Sequence, residues 1–138
     1  SDSPKTPLIQ GNVSIGAIWN GEAYMAQQEM EDLQYIYPEE GAVLWVDSFV
    51  IPKGAANVDN AHKFIDFMLR AESAKAAIEE LGYAAPNTAG IALLDEELRN
   101  NKTVFPAAED IAKGSFHQDL GDTVLVYEKY WELLKAGQ

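Results

Sequence analysis

The stretch Val43-Leu44-Trp45-Val46-Asp47-Ser48-Phe49-Val50-Ile51 decides the fold class of this 138-residue chain. Apolar, aromatic and β-branched residues run through it almost without interruption, and Pro52-Lys53-Gly54 ends the run. This pattern is typical of a buried β-strand. Alternate side chains of a strand share a face, so Trp45, Asp47 and Phe49 would lie on one side. The stretch therefore predicts a strand with an acidic group between two aromatic rings.

Other strands and helices are predicted on both sides of this stretch. Residues 1–12 contain two prolines and predict an extended loop. Two short apolar segments predict further strands at Val13–Trp19 and Leu33–Tyr37. Helices are predicted at Glu22–Glu31, from Asn57 or Asp59 to about Arg70, at 71–81 with a stop at Gly82, near 88–99 and 106–113, and at 119–134. This order indicates an α/β architecture and leaves open whether all partners of the sheet lie within this chain.

The composition excludes several classes of protein. Hydrophobic residues make up 47% of the chain, which is too many for a disordered tail. No apolar run approaches the roughly 18 residues of a membrane span. The absence of cysteine excludes disulfides, thiolate zinc sites and cysteine nucleophiles. A net charge of −12 repels phosphate backbones, so no nucleic acid partner is expected, whereas a cationic ligand is favoured.

Sequence motifs of catalysis and metal binding are absent. The chain contains no phosphate-binding glycine loop, no Gly-x-Ser-x-Gly elbow and no EF-hand pattern. His62 and His117 lack metal-ligand spacing, and acidic pairs such as Glu39-Glu40 are typical of solvated surface. The sequence therefore predicts a protein that is not an enzyme and holds neither a cofactor nor a metal.

Candidate binding chemistry lies in three aromatic residues and one acid. An ionised Asp47 in an apolar strand needs a partner, which is either a basic or backbone group of the protein or the ammonium group of a ligand. The Trp45 ring beside it can attract a cation. Trp19 ends a predicted strand, and ligands of α/β sheets bind beyond such ends. Tyr83 follows a helix stop, and both Trp19 and Tyr83 either close the edge of a core or join this site.

The segments around these residues resemble the periplasmic spermidine/putrescine-binding proteins, the substrate-binding subunits of polyamine ABC transporters. The similar segments are Gly16-Ala17-Ile18-Trp19-Asn20-Gly21, Glu40-Gly41-Ala42-Val43-Leu44-Trp45-Val46-Asp47-Ser48, Gly82-Tyr83-Ala84-Ala85-Pro86-Asn87 and Val126-Tyr127-Glu128-Lys129-Tyr130-Trp131. The resemblance runs from Ser1 to Gln138 and concerns the C-terminal part of that family.

The resemblance implies a two-lobed periplasmic binding protein fold of type II, with the ligand between the lobes. This chain would be its C-terminal fragment, and the missing N-terminal part of the same protein would be a partner. Residues 1–44 and 93–138 would belong to the C-terminal lobe, and residues 45–92 to the N-terminal lobe. The crossings near 44–47 and 92–95 would act as hinges when the cleft closes.

The resemblance also implies roles for individual residues. Trp19 and Trp45 would be aromatic walls along the methylene chain of a polyamine. Asp47 would be the carboxylate that pairs with an amino group, and Tyr83 would be a further wall or a hydrogen-bonding group.

A glutamine that contacts the ligand in the family falls at His117 in this chain. A one-residue slip in the alignment would use Gln118 instead. Because a protonated imidazole would repel a polycation, His117 would have to act in its neutral form.

The function implied is capture of a polyamine outside the cytoplasmic membrane and its delivery to the permease of an ABC transporter. The protein would be periplasmic or lipid-anchored on the outer face of that membrane. One alternative is the same fold with another amine or small organic cation as ligand. Another is a protein–protein interaction domain in which the aromatic strand is core, and a hydrolase with exposed carboxylates is the least favoured. The preferred polyamine stays open.

Overall fold

The computed structural model describes residues 4–137, which form short helices beside a two-stranded parallel sheet. In chain order the elements are α1 (Lys5–Ile9), α2 (Asn20–Glu29), β1 (Val43–Leu44), α3 (Val58–Met68), α4 (Ala71–Leu81), α5 (Thr88–Ala92), α6 (Glu96–Asn100), α7 (Ala108–Lys113), β2 (Ser115–Phe116), a 3₁₀ turn (Gly121–Thr123) and α8 (Val124–Lys135). Across residues 4–137, none of the helices combines the length and the apolar character that crossing a bilayer requires.

The predicted helices are confirmed, with ends that differ by a few residues. The helix expected over 71–81 is α4, and Gly82 ends it in the left-handed conformation with φ of 69°. Glycine adopts this conformation without steric cost, so it is a common helix terminator. The helical region expected near 88–99 divides into α5 and α6, and the last predicted helix is the 3₁₀ turn followed by α8.

The predicted loop over residues 1–12 is wrong in part, because α1 occupies Lys5–Ile9. Pro4 precedes the helix and Pro7 lies in its first turn, where the missing N–H would have had no acceptor within the helix. Leu8 is buried, and α1 packs against α2. Residues 1–3 of the predicted loop lie outside the described residues.

The strand predictions are largely wrong. Val13–Trp19 and Leu33–Tyr37 form no strand, and only Val43–Leu44 of the third segment is in a ladder. A strand needs a neighbouring strand for its hydrogen bonds, and among residues 4–137 only β2 supplies one. Ile15 is 89% exposed and Ile36 is 76% exposed, so these extended segments present apolar side chains to solvent.

The spacing of Ala61, Phe64, Ile65, Met68 and Leu69 predicts one buried face of α3, and Val124, Tyr127, Trp131 and Leu134 predict one apolar side of α8. The buried face of α3 is not confirmed. Asn57 precedes the helix without a capping hydrogen bond, and no residue of α3 is buried. Phe64 and Leu69, which belong to the predicted face, are exposed. The same holds for α8, where Tyr127 and Trp131 are exposed. Amphipathic helices carry such stripes where they pack on another element. The face of α8 is unpartnered within residues 4–137, whereas Phe64 of α3 packs on Phe49.

The hydrophobic core lies where α4 meets the chain after α5. Its fully buried members are Ile78 and Val104, and Leu94 and Leu98 complete it. Two capping hydrogen bonds stabilise α5, which ends shortly before Leu94, and α6, which contains Leu98. The Oδ1 atom of Asn87 accepts from the N–H of Gly90 at 2.9 Å, and that of Asp95 accepts from the N–H of Leu98 at 2.7 Å. Each such cap stabilises its helix by about 1 kcal/mol.

Replacing Ile78 with alanine is expected to lower the free energy of unfolding by about 2–5 kcal/mol, because a cavity forms in a closed core. Leu81→Ala in the same helix is the matched control, since Leu81 is 53% exposed and its loss leaves no enclosed cavity. Urea denaturation followed by circular dichroism measures both values. Equal losses in the two variants would contradict the assigned core.

Candidate functional site

Three aromatic rings from distant parts of the chain meet beside the sheet. The ring centroids of Trp19 and Trp45 are 5.6 Å apart with an interplanar angle of 77°. Those of Trp45 and Tyr83 are 5.3 Å apart at 74°. Both pairs are edge-to-face contacts, the arrangement that the charge distribution of aromatic rings favours. We call these three residues the aromatic trio.

Each member of the aromatic trio lies at the end of a secondary-structure element. Trp19 immediately precedes α2, Trp45 immediately follows β1, and Tyr83 comes directly after Gly82 at the end of α4. Trp19 is 43% exposed and Trp45 is 36% exposed, so their rings remain accessible to a ligand. The structure thus brings together Trp19, Trp45 and Tyr83, the three aromatic residues to which the resemblance gives roles in one site.

Close packing at Gly21 brings the end of α4 onto the beginning of α2. A methyl group added at Gly21 would lie 2.5 Å from two ring atoms of Tyr83 and 2.7 Å from the carbonyl oxygen of Leu81. No side chain larger than hydrogen fits in this space. Glycine is therefore required in the Trp-Asn-Gly sequence, because a larger residue at position 21 would leave no space for the Tyr83 ring.

Two carboxylates act on the phenol of Tyr83. Burial raises the pKa of Tyr83 above its usual value, and the charge of Glu22 raises it further. A hydrogen bond from the backbone N–H of Glu22 to the phenol oxygen lowers that pKa, and the charge of Asp47 raises it again. Asp47 therefore lies within electrostatic range of the aromatic trio. Its surroundings differ from the prediction, since Asp47 is exposed and follows a two-residue strand instead of lying inside a long one.

Phe49 does not join the site that the strand pattern predicts. Its ring packs edge-to-face on Phe64 of α3, with centroids 5.5 Å apart. The chain leaves the extended ladder after Leu44, so the alternation that would align Phe49 with Trp45 is lost.

His117 lies at the same edge of the sheet as Trp45. In the parallel pair, Val43 is opposite Ser115 and Leu44 is opposite Phe116, so Trp45 and His117 each follow the last paired residue. Carboxyl ends of parallel strands are the usual place for ligands of α/β proteins. His117 is exposed, and no side-chain hydrogen bond or ion pair joins its imidazole to the described residues.

Two tyrosines that sequence reasoning missed, Tyr35 and Tyr37, lie near the aromatic trio. Tyr35 and Tyr37 pack edge-to-face with centroids 5.0 Å apart. Burial raises the pKa of Tyr35, and the nearby phenol of Tyr83 raises it further. The alternation of Tyr35 and Tyr37 in the Leu33–Tyr37 segment places both rings on one side of the chain, but the same alternation also predicts a strand.

The described part of the chain offers no metal centre. Nowhere in residues 4–137 do three histidine or acidic side chains converge on one point. What the arrangement offers chemically is aromatic surface next to carboxylates, which suits an organic cation.

Replacing Gly21 with alanine is expected to lower the free energy of unfolding by about 1–3 kcal/mol, because the methyl group overlaps the Tyr83 ring. The near-ultraviolet circular dichroism of the aromatic trio should weaken as Tyr83 moves away from Trp45. Gly16→Ala is the control, since a methyl group there would lie 3.5 Å from Pro4 in ordinary contact. A Gly21→Ala variant as stable as the parent would show that the packing is wrong.

Comparison with known proteins identifies the family to which this chain is similar. The sequence pattern of the bacterial extracellular solute-binding protein family matches residues 1–107. A spermidine/putrescine-binding periplasmic protein of Salmonella typhimurium is 42% identical over 138 residues, which is 100% of this chain and 40% of that protein. The chain therefore spans about 40% of the length of this curated relative.

Two solved structures are similar to nearly the whole chain. The spermidine/putrescine ABC transporter substrate-binding protein of Streptococcus pneumoniae has a TM-score of 0.81 at 35% identity, covering 99% of this chain and 42% of that one. A candidate spermidine/putrescine ABC transporter from Listeria monocytogenes also has a TM-score of 0.81, at 36% identity, covering 94% of this chain and 40% of that one.

These matches confirm the resemblance seen in the sequence and the fold class expected from it. They fall on the C-terminal part of the relatives, in agreement with the sequence prediction. The relatives are substrate-binding proteins of transporters, and the Salmonella protein is a periplasmic one. The chain belongs to the bacterial extracellular solute-binding protein family.

Proposed function

We propose that this protein is the extracytoplasmic substrate-binding subunit of an ABC transporter and captures a polyamine, spermidine or putrescine. The observation that carries the proposal is the meeting of Trp19, Trp45 and Tyr83 within electrostatic range of Asp47. The names of the Salmonella and pneumococcal relatives support this ligand class. The protein would bind and deliver its ligand without transforming it, and would therefore not be an enzyme.

Recognition would combine two interactions that a polyamine satisfies at once. The carboxylate of Asp47 would accept charge-assisted hydrogen bonds from an ammonium group. Trp19 and Trp45 would pack against the methylene chain and attract the adjacent charge, a cation–π contact worth about 1–2 kcal/mol when desolvated. Tyr83 would close the wall or donate its phenol hydrogen. The net charge of −12 would raise the local concentration of cations and so speed the encounter.

We propose the division into lobes that the resemblance implies. Residues 1–44 and 93–138 would form part of one lobe, and residues 45–92 part of the other. The packing of α1 on α2 and of β1 on β2 falls within the first set, and that of α4 on α5 within the second, whereas the core contacts of Ile78 with Leu94, Leu98 and Val104 cross the division. The proposed hinge near 44–47 contains Trp45, and the one near 92–95 contains the core residue Leu94.

The unpartnered apolar surface supports a larger assembly. Exposed apolar side chains lie along α8, namely Leu125, Val126, Tyr127, Tyr130, Trp131 and Leu134. The extended segments around Ile15 and Val46 expose apolar residues too. We propose that the part of the relatives' length not spanned here, an N-terminal part of the same protein, packs on these surfaces and adds strands to the sheet. The completed protein would then dock on a transporter permease, in the periplasm or tethered to the membrane by a lipid anchor.

Asp47→Asn is expected to weaken spermidine binding by about tenfold to a hundredfold, because a neutral amide cannot make charge-assisted bonds to an ammonium group. Isothermal titration calorimetry of the longest natural form of the protein measures this, with putrescine, an amino acid and a sugar as further titrants. Asp66→Asn is the matched control, since it removes the same charge from an exposed position on α3.

Unchanged spermidine affinity in Asp47→Asn would remove Asp47 from the site. Equal losses in both variants, or binding that disappears at moderate salt, would mean that only the overall negative charge attracts the polyamine.

The residue at the family glutamine position can be identified with two variants. If His117 contacts the ligand, His117→Ala should weaken spermidine binding several-fold, about the effect of one hydrogen bond, while Gln118→Ala leaves it unchanged. The register of the sheet favours His117, because it follows Phe116 as Trp45 follows Leu44. The reverse pattern would transfer the contact to Gln118.

Two other candidates compete with the polyamine assignment. Another amine or small organic cation would use the same aromatic and carboxylate surface, and competition titration against spermidine separates the two. A protein–protein interaction domain is favoured by one observation, the exposed apolar face of α8. In that case no small cation would raise the melting temperature.

A further inference from the structure

The carbonyl oxygen of Thr103 accepts two hydrogen bonds from side chains far away in the sequence. The amide Nδ2 of Asn20 donates at 3.0 Å, and the phenol of Tyr37 donates at 3.0 Å. The donors stand 83 and 66 residues away from Thr103 along the chain. One acceptor therefore ties together three segments that share no secondary-structure element.

The acceptor is held rigidly. Thr103 is 8% exposed, and Val104 beside it is fully buried in the core. The side-chain oxygen of Asn101 accepts from the N–H of Thr103 at 2.9 Å and from that of Val104 at 3.3 Å. A close-packed core resists displacement, so the carbonyl of Thr103 is a fixed point for whatever binds it.

Asn20 connects the fixed carbonyl of Thr103 to the neighbouring Trp19. Asn20 is the first residue of α2, and Trp19 precedes it without a side-chain hydrogen bond to the helix. The carbonyl of Trp19 accepts from the N–H of Ala23 at 2.9 Å, so the residue is tied to the helix through its backbone. Anchoring Asn20 to the core, with Gly21 pressed against Tyr83, sets where the helix begins and hence where the indole lies.

Tyr37 is suited to be a permanent donor in this arrangement. Burial, together with the neighbouring Tyr35 and Asp110, raises the pKa of its phenol to about 12. A phenol with a raised pKa keeps its proton well above neutral pH, so its O–H remains available to the carbonyl of Thr103.

We propose that Asn20 and Tyr37 are positioning residues, which through the carbonyl of Thr103 hold Trp19 in edge contact with Trp45 before any ligand arrives. The wall of the site is then preorganised, and a ligand does not spend affinity on ordering it. The binding consequence rests on the proposed function, whereas the geometric consequence does not.

The test uses the longest natural form of the protein with Trp131→Phe, and the signal of the Trp19–Trp45 contact is the part of the circular dichroism spectrum that Trp19→Phe removes. Two indoles in edge contact give an exciton couplet in circular dichroism, and Trp19→Phe confirms the assignment by abolishing it. Asn20→Leu keeps the side-chain shape and removes the donor, and Tyr37→Phe removes only a hydroxyl group. Asn60→Leu on α3 and Tyr130→Phe on α8 are the matched controls, since neither side chain donates to the carbonyl of Thr103.

Both Asn20→Leu and Tyr37→Phe should weaken the couplet without ligand and raise the Kd for spermidine about fivefold to tenfold, while the controls change neither. A full couplet in both variants would overturn the proposal, whatever the affinity, since the residues would then not position Trp19. A weakened couplet in a protein whose parent binds no polyamine would support the positioning role and defeat the proposed function. If Asn20→Leu does not fold, the milder Tyr37→Phe variant decides.

Discussion

Burial of Thr103 and Val104 joins the core of this protein to its candidate site. Val104 is fully buried with Ile78, Leu94 and Leu98, so the adjoining peptide cannot turn toward solvent to satisfy its carbonyl. A buried carbonyl needs donors, and here Asn20 and Tyr37 supply them. The hydrophobic packing that stabilises the chain thereby also determines where the first tryptophan of the site lies.

The candidate site is made from the ends of elements instead of their interiors. Trp19 precedes a helix, Trp45 leaves a strand, and Tyr83 follows a left-handed glycine at the end of another helix. Ends of elements leave a ring partly exposed while the element behind it supplies rigidity. The structure thus holds aromatic faces firmly without hiding them, which the proposed capture and release of a small cation would require.

Local signals predict the helices of this chain well, because caps, glycine stops and helix-forming residues act within a few positions. Gly82 ends α4 where its conformational freedom indicates. The strands cannot be predicted in this way, since β1 depends on a partner at Ser115–Phe116 that carries no strand pattern of its own. The proximity of Trp19, Trp45 and Tyr83 follows from their places at element ends and from family resemblance. The contribution of Tyr37 cannot be predicted from the sequence, because a hydrogen bond to a distant backbone carbonyl produces no local sequence pattern.

The separation between Asn20 and its acceptor also has a consequence for the order of folding. The two residues lie 83 positions apart, so this bond closes one of the longer loops in the chain. Contacts of high sequence separation form late, after the entropy of loop closure has been overcome. During synthesis, α2 and its tryptophan emerge well before Thr103 exists to receive them. The site is therefore completed only after Thr103 has been synthesised, and a chain interrupted before that residue would carry Trp19 and Trp45 without their arrangement.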